Sequence, residues 1–456
     1  MTENRVSIIG LGKVGVTLAA SLANAGAKVI GFDLSEQVVS DIEHSKFKTN
    51  EPDVQNLISS ALHKDLFVTN EIENAVLNSD VSFVIVPTPS NMAGGFSNRY
   101  VVKACELIAA VLPQKKSKHT IAIVSTMVPG SSEAEIIPAI ERVSGLRVCD
   151  DFGYCYNPAF IALGEIVKGF TKPDFVLIGE VDKESGDCVL NSIKNMLSLN
   201  PPVSRMSLTE SEITKIASNT HETMRVAFAN MLMSICNEVP KCNVDAVTNA
   251  LAHRMGKRFF KGATPYGGPC WPRDNIALSE LMKLINVPSV LPEAVHLSNE
   301  QIGKFIIDKI AHLCEPQSAI AVIGLAYKSG TAVTEEAFGL ELCKRMLAKG
   351  HKVFGWDPLI SSEPTSFAYK EIKLCKTLTE TVSRADKIVI ANPLVEIELF
   401  DWRNTKNKTV IDCWRCLSRQ NQQAISRYVG LGSNPNESVR EWVFNSLGDK
   451  YFQLTE

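Results

Sequence analysis

Apolar residues in this chain gather in short uninterrupted runs rather than in alternation. Runs of that kind read as strands buried on both faces, as in parallel sheets covered by helices. They come in two matching series. Residues 6–33 read VSIIGLGKVG…AGAKVIGFD, and residues 320–357 read IAVIGLAYKSG…KGHKVFGWD. Each is an apolar run, a glycine-bearing turn, a helix-like stretch and a second apolar run ending in Asp: a β-α-β unit written twice. DVSFVIVPTP (80–89) then answers DKIVIANPL (386–394), and TIAIVST (120–126) answers TVIDCW (409–414). The shared order and the shared terminal Asp set this apart from a chance likeness of strands. Between the two series the pattern turns helical. Residues 208–240 place apolar positions at helical spacing, Thr209 with Glu212 fits a capping box, and residues 293–313 read as another helix. The expected fold class is α/β: two doubly wound parallel-sheet domains joined by a helical middle domain, with boundaries at 1–205, 206–300 and 301–456.

Length and composition agree with this. A chain of 456 residues exceeds one core, and its 45% hydrophobic and 21% charged residues are ordinary for a globular protein. A net charge of −3 gives no basic balance for nucleic acid, and no apolar run is long enough to span a bilayer. Neither nucleic acid nor membrane is an expected partner. The strand-like run from residue 6 argues against a secretory leader. Twelve cysteines then fit a reducing compartment better than a disulfide framework, so the expected location is cytoplasmic. Without paired CxxC motifs or His clusters, no metal is expected. Most of the cysteines, such as Cys105 and Cys343, read as small buried hydrophobes.

Candidate chemistry begins at Gly10-Leu11-Gly12-Lys13-Val14-Gly15, a G-x-G-x-x-G between a strand and a helix, with Asp33 closing the next strand. The glycines admit a pyrophosphate to the helix N-terminus. An acid at Asp33 suits a free ribose 2′-hydroxyl and repels a 2′-phosphate, so the expected cofactor is NAD. The second copy lacks the third glycine; it either binds a nucleotide through Lys328 or is structural. Two loops after predicted strands, Pro87-Thr88-Pro89 and Ser125-Thr126, lie where such sheets bind ligands. Lys215 and Asn219, at i and i+4, share a helix face. GGPCWPRD (267–274) presents Cys270 between glycines and prolines, either as a nucleophile or as a turn cysteine.

These motifs occur together, in order, with STMVPG (125–130), YNPAF (156–160) and GLAYK (324–328). In that combination the chain resembles the UDP-glucose/GDP-mannose dehydrogenase family over nearly its whole length. The resemblance implies two Rossmann-like domains around a helical dimerisation domain, and a homodimer or higher homo-oligomer. It implies NAD-dependent four-electron oxidation of the C6 alcohol of a nucleotide-sugar, through a cysteine thioester. UDP-glucose is the first-choice substrate, with a UDP-N-acetylhexosamine or GDP-mannose as alternatives. Cys270 resembles the family nucleophile, whose thiolate forms a thiohemiacetal able to lose hydride. The glycine pair before it would let the loop approach the sugar, and Arg273 would favour the thiolate. Asp274 matches the acid that assists proton transfer or positions water. Lys215 and Asn219 match residues that stabilise charge on the C6 oxygen. Thr126 matches a threonine contacting cofactor and water. Arg254, Lys261, Tyr266, Gly267, Tyr327 and Lys328 match substrate-binding positions.

Two positions depart from the family. Ala159 stands where the family writes a glutamate that acts as acid/base in thioester hydrolysis, and Leu163 replaces a polar residue a turn later. Either Asp274 and Thr126 activate water, or hydrolysis is slow, or the alanine is an engineered trap for the covalent intermediate. Glu335 takes the place of an arginine that contacts the cofactor, so either NAD binding is weaker or another group such as Arg415 completes it. Two competing readings are a two-electron hydroxyacid dehydrogenase and a non-catalytic sensor of NAD or nucleotide-sugar. The second sheet repeat and GGPCWPRD oppose the former. The joint presence of Cys270, Lys215, Asn219 and Asp274 opposes the latter.

Overall fold

A computed structural model describes residues 4–92, 94–361, 369–436 and 438–448. The chain forms two compact units, 1–218 with 280–287, and 219–279 with 288–456. The division falls inside the helix Leu208–Glu238, which runs from one unit into the other.

The first unit is built on eight strands: β1 (Arg5–Ile9), β2 (Lys28–Phe32), β3 (Leu66–Thr69), β4 (Val81–Val84), β5 (His119–Ile123), β6 (Phe152–Tyr156), β7 (Val176–Glu180) and β8 (Val203–Met206). Their order is β3-β2-β1-β4-β5-β6-β7-β8. All pairs are parallel except β6 with β7. Strands β4, β5 and β6 are buried throughout, which is why their sequences run apolar without alternation.

The second unit begins with the rest of the long helix, a short strand β9 (Cys242–Asn243) and the helix Val244–Met255. A six-stranded parallel sheet follows: β10 (Ala319–Ile323), β11 (Lys352–Trp356), β12 (Lys373–Leu374), β13 (Lys387–Ile390), β14 (Thr409–Asp412) and β15 (Arg427–Gly430). Its order is β12-β11-β10-β13-β14-β15, and β16 (Ser433–Asn434) returns to pair antiparallel with β9. The helix expected over 293–313 spans Val290–His312 and packs Ile302, Ile306 and Ile310 into this unit's core.

The repeat extends to single hydrogen bonds. Gly10 N donates to Phe32 O at 2.8 Å, and Gly324 N to Trp356 O at 2.8 Å. Leu11 N donates to Asp33 Oδ2 at 2.8 Å, and Leu325 N to Asp357 Oδ2 at 3.0 Å. Lys115 reaches the carbonyls of Val76, Leu77 and Ser79, and Lys408 those of Val382, Ser383 and Ala385, so each ammonium caps the end of an equivalent helix. The third glycine expected to be missing from the second copy is present, displaced along the chain. A Cβ on Gly15 would lie 1.9 Å from Gly10 O, and one on Gly339 would lie 2.1 Å from Gly324 O. A longer loop, not a different fold, hid it. The expected capping box is also corrected. Ser207 and Glu210 make the reciprocal bonds at the start of the long helix, while Glu212 is used elsewhere.

Candidate active site

In the first unit the loop after β1 turns at Gly10, whose φ of +101° is open to glycine, and a Cβ there would strike Ile85 O at 2.2 Å. Gly15 is equally closed. Gly12 differs: an added Cβ would meet nothing within 4 Å. It precedes the helix Lys13–Asn24, whose first amide groups have no partner in their own helix. Two glycines thus pack the turn, and the third leaves open space at a helix N-terminus, which suits a dinucleotide pyrophosphate. Lys13 is exposed and Val14 half-buried beside it, while Leu11 is buried. Asp33 keeps one oxygen on Leu11 N and the other on Ser35 N at 2.9 Å, and remains partly exposed. Its counterpart Asp357 is 1% exposed and bonded by Leu325, Ala326 and Leu359, and burial pushes its carboxyl up. Of the two acids, Asp33 is the one left partly exposed.

The two flanking loops are stapled together. The Ser125 hydroxyl donates to Val86 O at 2.7 Å and accepts from Val86 N at 2.9 Å. Its side chain is therefore committed to the fold. Thr126 is half-buried after it, and on the partner loop Pro87 is exposed, Thr88 buried and Pro89 half-buried. Glu212 holds the end of the STMVPG loop, accepting from Gly130 N at 2.6 Å, Ser132 N at 2.9 Å and Ser132 Oγ at 2.6 Å. Burial raises its pKa, and these donors partly offset the rise. Lys215 Nζ donates to Ala159 O at 2.8 Å and lies 4.7 Å from the Phe160 ring centre. The lysine is thus fixed to the backbone of the very residue that departs from the family.

In the second unit Cys270 is exposed and immediately precedes the helix Trp271–Leu284, with Asp274 N donating to Cys270 O at 2.8 Å. A thiolate there gains from the helix N-terminus, a stabilisation the residue string alone does not reveal. Asp274 is 1% exposed. Its Oδ2 accepts from Asn219 Nδ2 at 2.5 Å and its Oδ1 from Arg273 at 3.3 Å. The acid expected to assist proton transfer or position water is thus buried and bonded to both Asn219 and Arg273. Thr223 and Asn275 repeat the link one turn on, at 2.9 Å.

The glycine pair is explained differently from expectation. A Cβ on Gly267 would strike Glu336 O at 2.0 Å, one on Gly268 would enter the Tyr327 ring at 2.6 Å, and Gly268 N donates to Glu335 O at 3.1 Å. The glycines let the cysteine loop dock on the loop 327–336, not only approach a ligand. Tyr266 turns inward: it is 6% exposed, its hydroxyl accepts from Asn275 at 3.0 Å, and Asn299 brackets its backbone at 2.9 Å. Burial holds its phenol up to about 12. Lys328 is half-buried, while Arg254 and Lys261 are exposed. Arg415 does not substitute for a cofactor arginine. Its guanidinium is only 5% exposed and donates to both Asp245 oxygens at 2.9 Å, to Gly262 O at 2.6 Å and to Leu431 O at 2.5 Å.

Cys105 and Cys343 are buried as expected. Among the described residues no group of His, Cys, Asp or Glu is arranged to hold a metal, and no helix is long and apolar enough to cross a membrane.

Comparison with known proteins accounts for this set of features. Residues 4–196 match the NAD binding domain of the UDP-glucose/GDP-mannose dehydrogenase family, 209–301 its central domain and 321–419 its UDP binding domain. The chain is 29% identical to a GDP-mannose 6-dehydrogenase of Pseudomonas putida, over 90% of this chain and 95% of that one. It is 26% identical to a UDP-glucose 6-dehydrogenase of Haloferax volcanii, over 91% of this chain and 97% of that one. In fold it is similar to a UDP-glucose dehydrogenase from Pyrobaculum islandicum, with a TM-score of 0.84 at 24% identity, covering 94% and 98% of the two chains. With three successive family domains spanning most of its length, an NAD cradle at its first strand and a cysteine at the head of a helix, this chain belongs to the UDP-glucose/GDP-mannose dehydrogenase family, the NAD-dependent nucleotide-sugar 6-dehydrogenases.

Proposed function

We propose that the chain oxidises the C6 alcohol of a nucleotide-sugar to the carboxylate in two steps, with UDP-glucose as first substrate and GDP-mannose or a UDP-N-acetylhexosamine as alternatives. The observation that carries this reading is the exposed Cys270 at a helix N-terminus, four residues before a buried Asp274 whose carboxylate accepts from Asn219 and Arg273. NAD, when bound, supplies the hydride acceptor for each oxidation. The chain's own residues do the rest. Lys215 offsets negative charge at the C6 oxygen, and Asn219 donates a second bond there. The Cys270 thiolate adds to the aldehyde carbon, giving a thiohemiacetal that becomes a thioester on loss of hydride. Arg254, Lys261, Tyr327 and Lys328 bind the nucleotide-sugar, and the diphosphate suits these cations. The functional division follows 1–205, 206–300 and 301–456. The working form is a cytoplasmic homodimer through the helical segment. Support for that assembly comes from Phe228, Met231 and Ile235, exposed by 39%, 40% and 49% at i, i+3 and i+7 on the long helix.

The test is anaerobic mixing of enzyme with NAD and each nucleotide-sugar, counting NADH per sugar and per site. Two NADH per sugar consumed is the expected result. One NADH per sugar, with aldehyde or ketone as product, would exclude the thioester route. No NADH with any of the sugars would exclude the dehydrogenase reading.

A further inference from the structure

Residues 256–261 form neither helix nor strand. With the last turn of the helix before them they carry four exposed cations, Arg254, Lys257, Arg258 and Lys261, in a chain whose net charge is −3. Like charges repel, so a segment of this kind left to itself would spread into solvent. One side chain of the long helix holds it. Arg225 donates from Nη1 to Met255 O at 2.8 Å, from Nη2 to Gly256 O at 2.8 Å and from Nε to Arg258 O at 2.9 Å. Met255 O is among the carbonyls that a helix end leaves without an internal partner. A planar guanidinium can serve three such acceptors at once, which an ammonium cannot do in one geometry. The same guanidinium lies 5.3 Å from the ring centre of Phe260, which is buried and stacks on Phe228 at 6.0 Å.

The grip coincides with backbone strain. Phe259 has φ +52°, a left-handed conformation that a bulky residue keeps only where its surroundings enforce it. The bond to Arg258 O fastens the peptide that enters it. The strained residue also leads to the cysteine. Phe259 packs edge-on at 5.0 Å against Trp271, the residue after Cys270, and Trp271 packs edge-on at 6.1 Å on the buried Tyr266. The cationic segment is thus seated at the head of the helix that Cys270 precedes. In a nucleotide-sugar the diphosphate is joined to C1 of the ring that bears C6, so the cations that bind it belong within about one sugar ring of the thiol.

We infer that Arg225 is a positioning residue for the nucleotide-sugar: acting through the backbone of 255–258, it holds the cations of 254–261 ready for the diphosphate before substrate arrives. The inference rests on the dehydrogenase reading above. A loop that has to be ordered on binding subtracts that entropy from the affinity, and a loop already ordered does not.

The experiment compares the wild type with Arg225→Ala by steady-state NADH formation, calorimetric NAD titration and limited tryptic cleavage. The variant should show a KM for the nucleotide-sugar raised about tenfold, with kcat within about twofold and NAD affinity unchanged, the pattern of binding lost equally from ground and transition states. Trypsin should cut it faster than the wild type after Lys257 or Arg258, as mass spectrometry of the fragments would locate. Arg225→Lys keeps the charge but replaces the fork by a point donor, so it should share both changes. A role confined to stability would lower the unfolding midpoint and leave KM unmoved. A KM within about twofold of wild type, an unchanged tryptic rate at these two bonds, or a loss of kcat and NAD affinity alongside the rise in KM would each overturn the inference. Should Arg225→Ala fail to fold, Arg225→Lys is read by the same criteria. A wild type that forms no NADH with any of the sugars would remove the dehydrogenase reading and this inference with it, whereas an active wild type with an unmoved KM in the variant overturns this inference alone.

Discussion

The glycine loop offers a sharp contrast between two substitutions only three residues apart. A Cβ on Gly15 would lie 1.9 Å from Gly10 O, whereas ordinary contacts begin near 3.4 Å. Backbone on both sides must then retreat by about 1.5 Å in a turn already fixed by Gly10. Overpacking of this kind costs about 1–3 kcal/mol, which exceeds the gain of at most about 1 kcal/mol from replacing a helical glycine by alanine. Gly12 has φ −62° and open space around its Cβ. Alanine there should leave the fold intact or add about 0.4–1 kcal/mol by restricting the unfolded chain. It should, however, occupy the space proposed for the pyrophosphate. Urea unfolding and NAD titration by calorimetry separate the two effects. Gly15→Ala should lose stability. Gly12→Ala should keep it and lose at least about tenfold in NAD affinity, or about 1.4 kcal/mol. A Gly12→Ala protein that binds NAD normally would refute the placement of the cofactor. A Gly15→Ala protein of unchanged stability would refute the packing argument.

Arg415→Ala should cost about 3–5 kcal/mol, because it strands Asp245 and several carbonyls beside a buried space, and should leave NAD affinity unchanged. Calorimetric NAD titration and urea unfolding read both. His119 is fully buried between Ser82 Oγ and Ser79 O, and burial lowers its pKa to about 3. The unfolded chain takes up its proton near pH 6.5, so this contribution is complete above that pH and declines as pH falls toward 3. At about 1.4 kcal/mol per pH unit, the loss by pH 5 is about 2 kcal/mol, and His119→Gln should lose correspondingly less stability between pH 7 and 5. Cys270→Ser should bind NAD as the wild type does but form no uronate in steady state, as product analysis by mass spectrometry would show.

Residue strings alone determined the two parallel sheets, their common order and the glycine turn at the first strand. Each follows from local constraints: continuous apolar runs for strands buried on both faces, and glycine where backbone must touch backbone. Cys270, Lys215 and Asn219 could be singled out as candidates because the motifs that carry them are short and continuous along the chain. What the string could not decide were contacts between distant segments. Gly339 performs the work of Gly15 after a longer loop, so no fixed spacing could find it. The Gly267–Gly268 pair answers to Glu336 and Tyr327, which lie far along the chain from it. Arg415 looked available at a strand end, yet the fold spends its donors on Asp245, Gly262 and Leu431. The residue string marks Asp274 as an acid close to Cys270, and only the fold adds that it is buried and bonded by Asn219 and Arg273. A carboxylate is a base, a cap or a strut according to which donors the folded chain brings to it, and those donors come from elsewhere in the sequence.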